Sequence, residues 1–206
     1  FGAMIEALSG QSVNTYMQEH VFGPLGVNAA YHCALLPDQS DLAPQLGKNG
    51  KIAKGVSVAM KEIAEYDNTC NPRENTNKTS GGLYISANGL IRIISMLQRG
   101  GEIDGIRILQ PETVQLMMQP QHLVEGSSVK AESPYSLAMY RVEGMPGGTW
   151  YGHQGQMEGL SSNIYFQPDT GLSIAVIANG YEAHSEDGVV TIARNFMEKA
   201  QEFLTR

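Results

Sequence analysis

Residues 149–180, TWYGHQGQMEGLSSNIYFQPDTGLSIAVIANG, decide the fold of this chain of 206 residues. The stretch holds three runs with β-branched and aromatic residues, and glycines or the turn PDTG at 168–171 separate them. Such runs bounded by turn residues are typical of antiparallel strands joined by tight turns. With an earlier run they predict a meander of four strands, at residues 136–142, 149–155, 160–166 and 172–177.

The end of the chain has the period of an amphipathic helix. Apolar residues recur there at helical spacing, which predicts a closing helix that lies on the sheet. These residues are Val189, Ile192, Ala193, Phe196, Ala200 and Phe203.

The first half is predicted to be helical with one long irregular stretch. A helical pattern begins at Phe1, and a second one follows an N-cap at Ser12 to about Phe22, where GPLG at 23–26 ends it. Residues 34–78 lose the period and carry prolines, glycines and asparagines. An irregular stretch of that length is typical of a functional segment or the wall of a cleft.

Clear local signals return after this stretch. Residues 86–97 have the strongest helical pattern of the chain, and Gly100-Gly101 ends it. Asp104-Gly105 predicts a two-residue hairpin, and Pro111 suits the first turn of a helix through Met118. The fold class is therefore α+β, with helices first and a sheet plus helix last.

The change from helical and irregular patterns to strand patterns at residue 136 defines two regions along the chain. Residues 1–135 form the mainly helical and irregular region, and residues 136–206 form the antiparallel sheet with its C-terminal helix. Because the chain begins at Phe1 inside a helical pattern, we expect it to be a piece of a longer protein.

Composition excludes several classes of partner. The net charge of -7 and the pI of about 5.2 argue against a nucleic-acid groove, which would need clustered Lys and Arg. No apolar run approaches the roughly 20 residues of a membrane span. The five histidines lack ligand spacing, so no metal site is expected. Cys33 and Cys70 are interpreted as two buried thiols, with a disulfide as the alternative.

His153 is the first candidate for a functional residue. It stands near the end of a predicted strand with Gly155 two positions on, where a bare backbone lets a ligand lie against the strand. The alternative is a histidine that hydrogen bonds satisfy within a glycine-rich turn.

The order of three segments carries a family resemblance. FGAMIEALSGQSVNTYMQEHVFGPLGV, SGGLYISANGLIRIISMLQRGG and GHQGQMEGLSSNIYFQPDTGLSIAVIANG follow one another along the chain. The chain resembles the serine β-lactamase and penicillin-binding-protein superfamily, in particular the class C β-lactamase-related group of D,D-carboxypeptidases, D-amino-acid peptidases and esterases. The resemblance implies acyl-enzyme chemistry on a β-lactam, a D-amino-acid peptide or an ester, without a cofactor, in a bacterial periplasm or secreted.

The resemblance also assigns site residues. His153-Gln154-Gly155 matches the family's Lys-Thr-Gly or His-x-Gly motif, so His153 would supply a positive or hydrogen-bonding group and Gly155 would let the substrate backbone pair with the strand. The N–H of Gln156 would be one of two oxyanion donors. Apart from the resemblance, Trp150 and Tyr151 are candidates for the floor of the substrate pocket because they lie next to His153, with core packing as the alternative.

Ser80 would support the cleft, with a turn that needs glycine conformations nearby as the alternative. The family's other two motifs, Ser-x-x-Lys and Tyr-x-Asn, would lie before Phe1. Two segments match these patterns, Ser127-Ser128-Val129-Lys130 and Tyr66-Asp67-Asn68, but they occur in the reverse of the family's order and are not taken as the catalytic motifs. Lys78-Thr79-Ser80-Gly81 is interpreted as a loop.

Two expectations and one alternative follow for the chain as it stands. It should be inactive by itself because it lacks the nucleophile, and it should self-associate through an uncovered sheet edge. The alternative function is a non-catalytic module that binds a ligand or peptidoglycan.

Overall fold

A computed structural model describes residues 1–66, 79–120, 136–186 and 188–204. It shows the predicted mixed fold, with antiparallel sheets and a C-terminal helix. No helix in the described ranges is long and apolar enough to cross a membrane.

Contacts divide the described residues into two compact units. The first comprises Phe1–Leu90, Met157–Leu160 and Ala178–Glu182, and the second lies within Ile91–Gln156, Ser161–Ile177 and Ala183–Arg206. This division differs from the change in composition at residue 136, because residues 91–120 belong to the unit of the sheet, where Ile94 packs against Met139 and Phe166.

The first unit is built of short helices and two-stranded ribbons. Its ribbons pair β1 with β4 and β2 with β3, both antiparallel. The elements are α1 (Gly2–Ser9), α2 (Val13–Met17), a π-helical turn (Gln18–Phe22), α3 (Gly23–Leu25), β1 (Ala29–Ala30), a 3₁₀ turn (Cys33–Leu35), β2 (Gln45–Leu46), β3 (Ile52–Lys54), α4 (Val56–Ala64) and β4 (Tyr84–Ile85).

The joint between α1 and α2 follows the predicted capping. The Ser12 hydroxyl accepts the N–H of Thr15 at 3.1 Å, and the buried carboxylate of Glu6 accepts the N–H of Val13 at 3.0 Å. Both bonds satisfy N–H groups that the first helical turn leaves without intrahelical partners. The helix predicted from Ser12 is confirmed, and it ends at Gly26, whose φ of +64° a glycine adopts without strain.

The prediction of an irregular stretch over residues 34–78 was wrong for α4. Val56–Ala64 is helical because Ala59 and Ile63 pack against a small core around Cys33. Val58 and Met60, on either side of that face, are exposed and blur the apolar period, so the sequence pattern hid the helix. Residues 67–78 of that stretch, with Cys70, lie outside the described residues.

The second unit contains the main sheet and the helices that cover it. Its four-stranded sheet has the order β10-β9-β8-β7, which confirms the predicted meander. The elements, of which α5, β8, β9 and β10 have end residues that belong to the first unit, are α5 (Ala87–Gln98), β5 (Glu102–Ile103), β6 (Ile106–Arg107), α6 (Pro111–Met118), β7 (Tyr140–Val142), β8 (Trp150–Met157), β9 (Leu160–Gln167), β10 (Leu172–Asn179), β11 (Ser185–Glu186), β12 (Val189–Val190) and α7 (Thr191–Leu204).

The first strand of the meander is shorter than predicted. Ala138 has a φ of +56°, which interrupts an extended backbone, and Ser136 forms an isolated bridge with Pro120 instead. The strand therefore begins only at Tyr140. Among the described residues, β7 therefore pairs with β8 only from Trp150 to Gly152.

Helix α7 packs on the sheet as predicted. Ala193 and Met197 are fully buried against Trp150 and Tyr165 of the central strands. The covered face is narrower than the predicted one, because Phe196 and Phe203 are 50% and 78% exposed.

Candidate functional site

Strand β8 carries the His153-Gln154-Gly155 motif. His153 and Gln156 are exposed, whereas Gln154 and Gly155 are half-buried. Because successive side chains of a strand point to opposite faces, Gln154 lies on the face opposite to His153. The motif thus presents His153 to solvent and directs Gln154 inward.

Along the motif, the outer edge of β8 has no paired strand among the described residues. Strand β7 pairs with β8 only through Trp150, Tyr151 and Gly152. From His153 onward, no strand of the described residues pairs with this edge. An edge of this kind can take an extended peptide by antiparallel pairing.

The His153 ring is held locally. Its Nδ1 lies 2.9 Å from the carbonyl oxygen of Gln154, and its centroid lies 5.3 Å from that of Tyr140. The hydrogen bond agrees with a histidine satisfied within the strand. Its exposure agrees with a ring that meets a ligand, and the functional role of His153 stays a prediction.

The two glycines of this strand differ in what surrounds them. A Cβ at Gly152 would overlap the carbonyl oxygen of Ile164 and come within 2.7 Å of the Tyr165 Cα. A Cβ at Gly155 would meet only the Ser162 hydroxyl closely, at 2.8 Å. Packing therefore requires glycine at 152, whereas the bare backbone at 155 is open to another role.

A pair of alanine substitutions separates these roles. Gly152→Ala is expected to lower the free energy of unfolding by about 1–3 kcal/mol or more, because backbone atoms cannot yield to the new methyl group. Gly155→Ala is expected to cost less than Gly152→Ala, because the Ser162 hydroxyl can rotate away. Urea unfolding of the two variants measures the difference, and equal costs would contradict it.

The structure assigns Trp150 to the core rather than to a substrate pocket. The side chain is fully buried among Val142, Tyr165 and Met197, and its Nε1 donates to the Pro146 carbonyl at 3.4 Å. The core alternative therefore replaces the substrate contact expected for Trp150. Tyr151 is half-buried with its ring 5.9 Å from Phe166, so it too packs against protein.

The remaining sequence candidates belong to the first unit or fall outside the described residues. Ser80 is exposed in a short 3₁₀ turn of the first unit, which agrees with a loop, and its role in a cleft stays a prediction. Tyr66 stacks near His32 with ring centroids 4.7 Å apart. Asp67-Asn68, Lys78 and Ser127 to Lys130 lie outside the described residues.

Sequence reasoning missed one cluster of potential metal ligands. His32, Cys33 and Glu62 bring ligand atoms within 4.8 Å of one another. Lys54 Nζ lies 2.9 Å from Glu62, and the N–H of Ala34 donates to His32 Nδ1 at 3.1 Å. These partners compete with a cation, so we assign the cluster a structural role. No local spacing could signal it, because folding alone joins residues 33 and 62.

The buried Cys33 thiol is expected to resist modification. Burial, with the nearby carboxylate of Glu62, raises the pKa of Cys33 above its usual value. The folded state therefore keeps the neutral thiol, and this contribution to stability is lost as the pH rises above about 8.5, the ordinary thiol pKa.

The measurement is thiol labelling in a Cys70→Ser background. At pH 8 the native protein should react far more slowly than the unfolded protein, because the thiolate is the nucleophile. Equal rates in the native and unfolded states would contradict the burial of Cys33.

The fold and a family match together define the class of protein. The mixed fold of a meander and a covering C-terminal helix is shared by solved penicillin-binding protein homologues. The sequence profile of the Beta-lactamase family matches residues 1–195, and the chain belongs to that family.

Individual relatives agree with this assignment. Penicillin-binding protein 4 of Amycolatopsis lactamdurans is 28% identical over 193 residues, which cover 89% of this chain and 46% of the relative. A solved octameric penicillin-binding protein homologue from Pyrococcus abyssi has a TM-score of 0.66 at 20% identity. The alignment covers 100% of this chain and 40% of the homologue. A D-stereospecific amidohydrolase from Streptomyces sp. has a TM-score of 0.57 at 20% identity, and the alignment covers 86% of this chain and 47% of the amidohydrolase. The chain spans about half the length of these relatives.

Proposed function

We propose that this chain is the C-terminal part of a β-lactamase-related serine hydrolase of the class C-related group. The observation that carries the proposal is the open edge of β8, where His153, Gly155 and Gln156 follow one another without a neighbouring strand among the described residues. Membership of a serine hydrolase superfamily supplies the chemistry that such an edge would serve.

The proposed reaction runs through an acyl-enzyme. A serine before Phe1 attacks the substrate carbonyl, its proton passes to a neighbouring base, and the C–N or C–O bond breaks as the leaving group takes up that proton. The N–H of Gln156 donates to the oxyanion, and the imidazolium form of His153, whose Nε2 also carries a hydrogen, stabilises it or binds a substrate carboxylate. Water then hydrolyses the acyl-enzyme and restores the serine.

The proposed substrate is a small molecule or peptide with an acyl group beside an extended backbone. A D-amino-acid peptide, a β-lactam or an ester has this chemistry, and Gly155 lets its backbone approach β8. One structural relative is a D-stereospecific amidohydrolase, which supports this substrate class. No cofactor enters the reaction. We propose a location outside the cytoplasmic membrane of a bacterium, where such substrates occur, and no nucleic-acid partner.

Hydrolysis by the full-length protein and by residues 1–206 alone tests the proposal. The full-length protein should turn over a p-nitrophenyl ester or a chromogenic β-lactam, and the isolated chain should stay at background, because catalytic residues that act as a unit fail together. Binding without turnover by the full-length protein would favour a non-catalytic ligand- or peptidoglycan-binding module. Turnover by the isolated chain would contradict the proposed place of the nucleophile.

We also propose that the isolated chain self-associates. The open edge of β8 can pair with a strand of a second copy, and Phe196 and Phe203 expose aromatic surface on α7. Light scattering at high micromolar concentration should report species larger than a monomer, and Phe196→Glu should reduce their mass. A cooperative monomer at that concentration would contradict this expectation.

A further inference from the structure

The side chain of Gln154 has no role in the proposed reaction, yet it makes three hydrogen bonds. Its Oε1 accepts the N–H of Val190 at 3.1 Å and the hydroxyl of Tyr165 at 3.3 Å. Its Nε2 donates to the carbonyl of Gly188 at 2.9 Å. Because both the oxygen and the nitrogen of its amide form hydrogen bonds, the Gln154 side chain links the middle of β8 to the segment that precedes α7.

Only a carboxamide satisfies this set of partners. A backbone N–H only donates and a carbonyl only accepts, so Val190 and Gly188 fix which way the amide points. A glutamate would keep the acceptor contacts but lose the bond to Gly188. A leucine would leave both backbone groups without the partner that Gln154 provides.

The backbone of the same residue contacts the ring of His153. Its carbonyl oxygen lies 2.9 Å from His153 Nδ1. Because a carbonyl only accepts, Nδ1 carries the hydrogen in this bond, and in the neutral ring Nε2 carries the lone pair. The orientation of one carbonyl thus selects the tautomer of the histidine.

We propose that Gln154 is the positioning residue of His153. Its side-chain amide anchors the strand to Gly188 and Val190, and its carbonyl, held in place by that anchor, fixes His153 in the Nδ1–H tautomer. The catalytic consequence rests on the proposed function, whereas the tautomer does not. Gln154, the middle residue of the His-x-Gly motif, therefore sets the tautomer of the neighbouring His153 ring.

Histidine NMR on the full-length protein tests this directly. Two-bond ¹H–¹⁵N correlations report which ring nitrogen carries the hydrogen, and His153→Gln identifies the signal of His153. The wild type should show the Nδ1–H tautomer, and Gln154→Leu should lose that preference. A wild-type Nε2–H ring, or a Gln154→Leu ring unchanged from the wild type, would overturn the proposal.

Gln167→Leu is the matched control. Gln167 is a fully buried amide of β9 that bonds the Gly147 carbonyl and the N–H of Thr170. Its loss should lower stability but leave the His153 signal unchanged. Should Gln154→Leu not fold, Gln154→Glu decides with the same readout, because it removes only the bond to Gly188.

Kinetics provide a second, separable readout. Gln154→Leu should lower kcat by about 10- to 100-fold with a smaller change in KM, because a misplaced group loses effect mainly in the transition state. An unchanged kcat with an altered tautomer would reject a catalytic role for the ring position. If the full-length protein shows no acyl transfer, the proposed function fails while the NMR result still decides the positioning.

Discussion

Replacing His153 with alanine in the full-length protein is expected to lower turnover by about 10²- to 10³-fold, the usual cost of one lost electrostatic contact to a developing oxyanion. The melting temperature should stay close to that of the wild type, because His153 is exposed and adds little to the core. Ester or β-lactam hydrolysis, measured beside thermal unfolding, gives both quantities.

His184→Ala is the control for this substitution. His184 is an exposed histidine of the same unit and lies outside the motif, so its removal should change neither rate nor stability. Wild-type kinetics for His153→Ala with a lowered melting temperature would show that His153 is only a hydrogen-bonded residue of a glycine-rich strand.

Trp150→Ala is expected to have the largest effect on stability. The side chain is 0% exposed and packs between the sheet and α7, so its removal leaves a cavity and should cost about 3–5 kcal/mol in the free energy of unfolding. Urea unfolding of the two proteins measures the cost.

An exposed aromatic residue of α7 provides the comparison for Trp150. Phe203 is 78% exposed, and Phe203→Ala should change stability by no more than about 0.5 kcal/mol. A small stability loss for Trp150→Ala together with a raised KM would restore Trp150 to the substrate pocket and contradict its assignment to the core.

Local signals were sufficient to predict most of the secondary structure. The hairpin at Asp104-Gly105 formed because both residues adopt positive φ, and Pro111–Met118 begins at its proline as predicted. Helix α4 was missed because only two of its side chains, Ala59 and Ile63, pack against the small core around Cys33. The exposure of Phe196 could not be foreseen, since the helical period does not show how much of a face a sheet covers.

The candidate site likewise contains residues that the sequence could indicate and residues whose role only the fold shows. His153 and Gly155 could be proposed from the sequence because they lie close together on one strand. Trp150 was harder to place, because alternation along a strand does not say which face the core covers. The role of Gln154 depends on Gly188 and Val190, more than thirty residues away, and only the folded chain brings these groups together.

The central claim is that the nucleophile lies outside residues 1–206 while this chain supplies the strand that lines the site. Acylation of the full-length protein with a fluorophosphonate or a β-lactam, followed by mass spectrometry of its peptides, tests it most directly. We predict one labelled serine, in a Ser-x-x-Lys motif before Phe1. A label on Ser127, or on any other serine of residues 1–206, would contradict the account.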